Sequence, residues 1–176
     1  MMKRLLSAVV LLLALALCGF AQGVCQRHSE PLGGYSMCVP PGWSVEEREG
    51  QAFKMFFAPR DETFTANINV KEDTNAALLP AYAEASIKYV LGHYAEIGAT
   101  SIKLVEQANY RTTSGLSSIR VAFSTEFKGL LIRTLQYYFT GSNNHKLIVT
   151  CTFLEANKVG LDPVFDRALK SFQIDK

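Results

Sequence analysis

The most constraining feature of this sequence is a run of four long extended segments that follow one another almost without interruption. They cover residues 101–112, 116–127, 130–140 and 145–154. The breaks between them are short and contain glycine, serine and asparagine, which favour turns. A parallel return needs a crossover of about a dozen or more residues, so such short breaks predict antiparallel neighbours.

Patterns on both sides complete the predicted order of elements, the clearest of them in the third strand. Strands are expected at 34–39, 51–58 and 64–71, the last with apolar residues alternating from Phe64 to Val70. The resulting order, βββ-α-ββββ-α, predicts an α+β fold in which helices flank an antiparallel β-sheet.

Two helices are expected in this order. The first runs from Pro80 to a stop at Gly98. Its apolar face is expected to consist of Tyr82, Ser86, Tyr89, Val90, His93, Tyr94 and Ile97. The second covers 162–172, with Asp162 as its N-cap and Pro163 in its first turn.

Residues 1–21 are typical of a secretory signal peptide. Lys3 and Arg4 precede an apolar run that is too short for the ~20 residues that a bilayer span requires. The small residues Gly19 and Ala21 predict cleavage after Ala21, which leaves a periplasmic or secreted protein. The alternative is a lipoprotein acylated at Cys18, the one case in which we expect the protein to be anchored to a membrane.

The remainder is expected to be an irregular lead-in, 22–33, followed by a single domain, 34–176. Without the leader, the chain has 16 basic and 16 acidic residues and therefore a net charge of zero with histidine neutral. Nucleic-acid-binding proteins normally carry a basic excess or a clustered basic stripe. This balance argues against nucleic acid as a partner.

Three cysteines remain after the predicted cleavage. The alternation of residues 35–39 points Cys38 away from the core and towards the segment that carries Cys25, which predicts a Cys25–Cys38 disulfide in an oxidising compartment. Cys151 shares a strand face with Leu147 and Val149. It is therefore expected to be a buried free thiol.

Two segments of the chain resemble a known group of families. The first has a Gly-Tyr-Ser opening and a Val-Pro-x-Gly-Trp turn, formed by Gly34, Tyr35, Ser36, Val39, Pro40, Gly42 and Trp43. The second is the closing segment 165–172. Both are similar to the PsbP-like families, which include the photosystem II protein PsbP, the bacterial lipoprotein DcrB and the Ran-binding Mog proteins. The resemblance covers about residues 33–175 and implies an αβα sandwich, but it implies no shared chemistry, because fold does not determine function.

No motif in the sequence predicts catalysis, a metal or a cofactor. His28, His93 and His145 lack the spacing of a metal clip, and His93 is expected to be a core or boundary residue. The acidic pairs at 46–47 and 61–62 are expected to be solvated turn residues. Neither a Gly-x-Ser-x-Gly elbow nor a glycine-rich phosphate loop is present.

Four residues are the candidates for binding a ligand or a partner. Arg133 shares a strand face with Leu135 and Tyr137, and a charge there needs a partner or a bound anion, unless its long side chain reaches water. The aromatic residues Trp43, Tyr110 and Tyr137 could line a recognition groove or pack in the core. From these patterns we expect a non-catalytic accessory protein of the cell envelope that acts through an unidentified envelope protein. The alternatives are a carrier of a small apolar or anionic ligand held between sheet and helix, and a hydrolase with a dispersed triad.

Overall fold

The computed structural model describes residues 25–175. The predicted leader, its cleavage after Ala21 and the alternative lipidation at Cys18 lie outside the described residues. In the described part, no helix has the length and apolar character needed to cross a membrane.

Ten strands and two α-helices make up the described chain. The strands are β1 Gln26–Glu30, β2 Tyr35–Val39, β3 Ser44–Glu46, β4 Met55–Phe57, β5 Asn67–Asp73, β6 Ala99–Arg111, β7 Ser117–Phe127, β8 Leu130–Thr140, β9 Lys146–Leu154 and β10 Gln173–Ile174. The helices are α1 Leu79–Gly92 and α2 Lys158–Lys170.

A seven-stranded antiparallel sheet forms the centre of the fold. Its order is β3-β4-β5-β9-β8-β7-β6, so the four segments predicted to be consecutive neighbours form one meander at one side of the sheet. The turn between β7 and β8 consists of Lys128 and Gly129, both with positive φ. Such two-residue turns match the twist of a hairpin, which explains why this break is so short.

The two faces of this sheet pack against different layers. Helix α2 and strand β2 cover one face, above Leu135, Tyr137 and Phe139. Helix α1 covers part of the other face, above Val121 and Phe123. The predicted α+β fold, with helices on both faces of an antiparallel sheet, is confirmed.

A second sheet of three strands joins the start of the described chain to its end, in the order β1-β2-β10. The prediction that 22–33 is irregular is wrong from Gln26 onwards, because all five residues of β1 pair with β2. The sequence of β1 is polar (QRHSE) and has no apolar alternation. Its strand conformation therefore depends on pairing with the more apolar β2, which follows after a short turn, and not on a period of its own.

The early strands are shorter or shifted relative to their predictions. Of the predicted strand 51–58, only Met55–Phe57 is paired, and the predicted strand 64–71 is Asn67–Asp73. Phe53 and Phe56 are both buried. A spacing of three between buried residues does not fit the two-residue period of a strand, so the chain bends before β4.

Both helices differ from their predictions in detail. Helix α1 ends at Gly92, a 3-10 turn follows at Tyr94–Ile97, and the buried residues are Tyr82, Ala83 and Ile87. The prediction that Tyr89 belongs to the apolar face of the helix is wrong. The face that packs on the sheet includes Ala83 and Ile87, so Tyr89 lies beyond the edge of this face and is 61% exposed. Helix α2 begins at Lys158, one turn before Asp162, so Asp162 is not its N-cap.

The cysteine predictions are confirmed. Cys25 and Cys38 form a disulfide with Cα atoms 5.3 Å apart, within the ordinary range. Cys151 is a free, buried cysteine, and burial raises the pKa of its thiol.

Candidate functional site

Arg133 lies on β8 beneath the start of α2. Its side chain is only 3% exposed, so the interpretation in which it reaches water is wrong. Its Nη1 atom is 3.6 Å from Glu155 Oε1, and its Nε atom is 3.5 Å from Asp162 Oδ1. These separations are too long for strong direct hydrogen bonds, so the three groups form an ion cluster with unpaired polar atoms.

Tyr110 and Tyr137 pack edge to face, with ring centroids 4.9 Å apart. The Tyr110 hydroxyl donates to Asp166 on α2 (Oδ1, 3.1 Å), and Tyr137 Oη accepts from Arg120 Nε at 3.2 Å. Burial raises the pKa of both phenols, and the negative charge of Asp166 reinforces the effect. Both side chains are therefore neutral hydrogen-bonding groups at ordinary pH.

Trp43 is half-buried at the end of the same layer. Its ring meets Phe165 of α2 edge to face, with centroids 5.5 Å apart. The four residues predicted from the sequence thus lie on the side of the sheet that α2 covers: Trp43, Tyr110 and Arg133 contact α2 directly, and Tyr137 lies beside Tyr110. Their role towards an outside ligand or partner stays a prediction.

An open groove of about 490 Å³ between α1 and the opposite face of the sheet was not predicted from the sequence. Asn69 on β5, Thr150 on β9 and Gln136 on β8 are direct cross-strand neighbours and form one polar row of its floor. The next row is Lys71, Ile148 and Tyr138. The available signal was the polar alternation of β5, in which Asn67 and Asn69 lie opposite the buried Ile68 and Val70.

Hydrogen bonds hold one end of this groove in place. Asp73 accepts from the Tyr82 hydroxyl at 2.8 Å and from the Asn75 backbone N–H at 2.9 Å. These bonds lower the pKa of Asp73, while burial and the Asp73 bond raise the pKa of Tyr82 to about 12. The fully buried Lys146 donates to the backbone carbonyls of Asn75 (3.1 Å) and Asn144 (2.6 Å), which ties the loop after β5 to the turn before β9.

The histidines have structural contacts. His28 packs edge-on against Phe56, and His145 Nδ1 lies 2.7 Å from Glu72 Oε1. His93 is exposed and stacks on Tyr89 at 4.2 Å, so its predicted place in the core or at its boundary is wrong. Within residues 25–175, no histidine shares a hydrogen bond with a serine, and no group of three or more potential metal ligands is present.

Strand β6 is the outermost strand of the large sheet. In the described chain it pairs only with β7, and eight of its 13 residues are exposed. A bulge between Leu104 and Glu106 divides it, and continuous pairing resumes from Glu106 to Arg111. Beside the bulge, Leu104 and Val105 are 40% and 50% exposed.

Comparisons with known proteins give a result only at the level of structure. No protein-family model matches this chain, and no curated protein matches its sequence. Among solved structures, cyanobacterial PsbP (CyanoP) of Synechocystis sp. PCC 6803 has a TM-score of 0.62 at 16% identity, over 89% of this chain and 98% of that one.

Two further solved structures are similar. LpqN of Mycobacterium tuberculosis, described as involved in cell envelope biogenesis, has a TM-score of 0.58 at 12% identity and covers 89% of this chain and 88% of that one. The Ran-binding protein Mog1p of Saccharomyces cerevisiae has a TM-score of 0.56 at 12% identity and covers 85% and 95%. Identities this low establish the architecture alone. The chain has the PsbP/Mog1-like fold, as its resemblance to the PsbP-like families predicted.

Proposed function

We propose that this chain is a non-catalytic accessory protein of the cell envelope that acts by binding a protein partner through the free edge of β6. The fold supports this proposal, since Mog1p is a Ran-binding protein and LpqN is involved in cell envelope biogenesis. The predicted leader and the Cys25–Cys38 disulfide are consistent with export.

The observation that carries the proposal is the length and exposure of β6. An edge strand presents backbone N–H and C=O groups that an extended segment of another protein can pair with. Short strands, charges or bulges usually prevent such edges from pairing with other chains. Here a bulge protects the middle of β6, but the six residues from Glu106 to Arg111 keep a regular register with β7 and have no partner strand on their other edge within residues 25–175. On that edge, the Arg111 carbonyl accepts a hydrogen bond from Lys170 Nζ at 2.9 Å, so the positions open to a partner are 106–110.

In this proposal the partner binds by adding a strand to the sheet. The partner contributes an extended segment that continues the sheet beside residues 106–110, and the exposed Val105 next to the bulge supplies an apolar contact at one end. Main-chain hydrogen bonds supply affinity in this mode, and side chains on alternate positions supply specificity.

A site-specific photo-crosslinker at Val105 tests the proposal in cells that express the exported protein. We expect one defined protein adduct. The substitutions Gln107→Lys and Asn109→Lys place charges on the exposed edge and should reduce the yield of this adduct at least fivefold.

The matched control is Thr74→Lys/Ala77→Lys, which adds the same charge to exposed positions after β5, four strands away in the sheet. It should leave the adduct unchanged. An equal loss in both lysine variants, or no adduct at position 105, would show that the β6 edge is not the partner site.

A further inference from the structure

We infer that the groove between α1 and the sheet binds a short, neutral carbohydrate. This site lies on the sheet face opposite α2, and the inference does not depend on the proposed protein partner at the β6 edge. It rests on the composition of the groove floor, its rim and its balance of charge.

The polar row of the floor offers several hydrogen-bonding groups at sheet spacing. Asn69, Thr150 and Gln136 are adjacent across three strands, and neighbouring strands lie about 4.8 Å apart. The Gln136 Oε1 atom accepts from the Tyr138 hydroxyl at 2.6 Å. This bond does not use the Gln136 amide N–H groups, which can therefore donate to a ligand. In the described chain, the side chains of Asn69 and Thr150 make no hydrogen bond. Amides and hydroxyls each combine donor and acceptor capacity, as the hydroxyls of a sugar do.

Apolar surface lies directly beside this polar row. Its accessible part comes from Tyr89 and Val90 of α1, which line the wall, because Ile148 and Tyr138 in the next row are only 9% and 1% exposed. The Tyr89 ring is 61% exposed and stacks on His93 at an interplanar angle of 18°, so it is held with one face covered. A sugar ring has the matching character, because it presents C–H groups on its faces and hydroxyls around its edge.

The charges at the groove favour a neutral ligand. Lys71 and Asp73 are its charged lining residues, one of each sign. The Asp73 carboxylate already accepts hydrogen bonds from Tyr82 and Asn75, and Lys71 is exposed to solvent. The two opposite charges leave the lining with no net charge, and the positive charge of Lys71 contributes to the lowered pKa of Asp73, so the groove as a whole favours neither an anion nor a cation. The volume of about 490 Å³ is within the range of about 300–1,000 Å³ typical of small-molecule sites.

Ligand-detected NMR and calorimetry with three neutral disaccharides, maltose, cellobiose and N,N′-diacetylchitobiose, test this inference on the exported protein. We expect at least one of them to bind. The double variant Asn69→Leu/Thr150→Val removes two hydrogen-bonding groups and should weaken its binding about tenfold, since a neutral hydrogen bond contributes modestly to affinity.

The control variant Gln26→Leu makes a similar polar-to-apolar change at an exposed position of β1, in the other sheet and outside the groove lining, and should bind as the native protein does. Melting temperatures of both variants establish that they are folded. Phosphate serves as the anionic probe and 1-octanol, which is uncharged, as the apolar probe. The inference is overturned if none of the three disaccharides binds, if the double variant and the control bind equally, or if either probe binds the groove more tightly than the sugars do.

Discussion

Arg133 Nε on β8 lies 3.5 Å from Asp162 Oδ1 on α2, and the arginine side chain is almost fully buried. Glu155, just before α2, provides the second carboxylate at 3.6 Å. This ion cluster joins the first turns of α2 to the sheet. A buried charge that loses its partners is costly, because it has given up hydration without compensation.

Neutralising both carboxylates should therefore destabilise the fold. We expect Glu155→Gln/Asp162→Asn to lower the free energy of unfolding by about 3 kcal/mol, because Arg133 remains buried and unpaired. Urea denaturation measures the change. The control Glu62→Gln/Glu84→Gln neutralises two exposed carboxylates and should change stability by less than about 0.5 kcal/mol. Equal stability of the two double variants would contradict this role of the cluster.

The Cys25–Cys38 disulfide should stabilise the three-stranded sheet by linking the residue before β1 to β2. The two cysteines are 13 positions apart, and a loop of this size contributes about 3 kcal/mol in the chain-entropy model. We expect Cys25→Ser/Cys38→Ser to lower the free energy of unfolding by about that amount, with no further loss when reductant is added. The buried Cys151 is an internal reference. It should react with iodoacetamide only after unfolding, and rapid labelling of native protein would contradict its burial.

The hydrogen bond from Tyr82 to Asp73 should make stability depend on pH in the acid range. The pKa of Asp73 in the folded protein lies below its ordinary value of 3.8, so its contribution is present above that value and is lost as pH falls through the lowered folded pKa. Tyr82→Phe removes the donor and should reduce the difference in unfolding free energy between pH 7 and the acid range. Tyr89→Phe, at an exposed tyrosine, should leave this difference unchanged. The same acid dependence in Tyr82→Phe and native protein would rule out this bond as its source.

Trp43 should stabilise the packing of α2. Its edge-to-face contact with Phe165 and its position at the margin of the core predict that Trp43→Ala lowers the free energy of unfolding by about 2 kcal/mol, less than for a fully buried aromatic residue. Thermal denaturation measures this loss. Trp43→Phe, which keeps an aromatic ring, should recover most of it. An unchanged melting temperature in Trp43→Ala, combined with loss of partner binding, would instead make Trp43 a contact residue.

The predicted cleavage after Ala21 should leave a mature chain that begins at Gln22, because Gly19 and Ala21 match the small residues that a signal peptidase requires. Intact-mass measurement of protein recovered from the envelope tests this expectation. Ala21→Leu should reduce processing, whereas a conservative change outside the cleavage site, such as Val24→Ile, should not. A mass that starts at Cys18 and carries acyl chains would make the protein a lipoprotein.

The local pattern of the sequence was sufficient to predict the meander from β6 to β9. It was also sufficient to predict which way the side chains of Cys38 and Cys151 point. Short breaks leave no room for a crossover, so the direction and neighbours of β6, β7, β8 and β9 follow from the chain itself. The two-residue side-chain alternation of a strand likewise predicted that Cys38 turns away from the core and that Cys151 faces it.

Only the tertiary structure decided which distant residues meet. The row of Asn69, Thr150 and Gln136 depends on the register of β5 against β9, and the partners of Arg133 depend on where α2 docks. Strand β1 has no apolar period and becomes a strand only by pairing with β2. Periodicity assigns a residue to a face of its own element, whereas register and docking are set by how all the elements pack together, which no local segment of the sequence specifies.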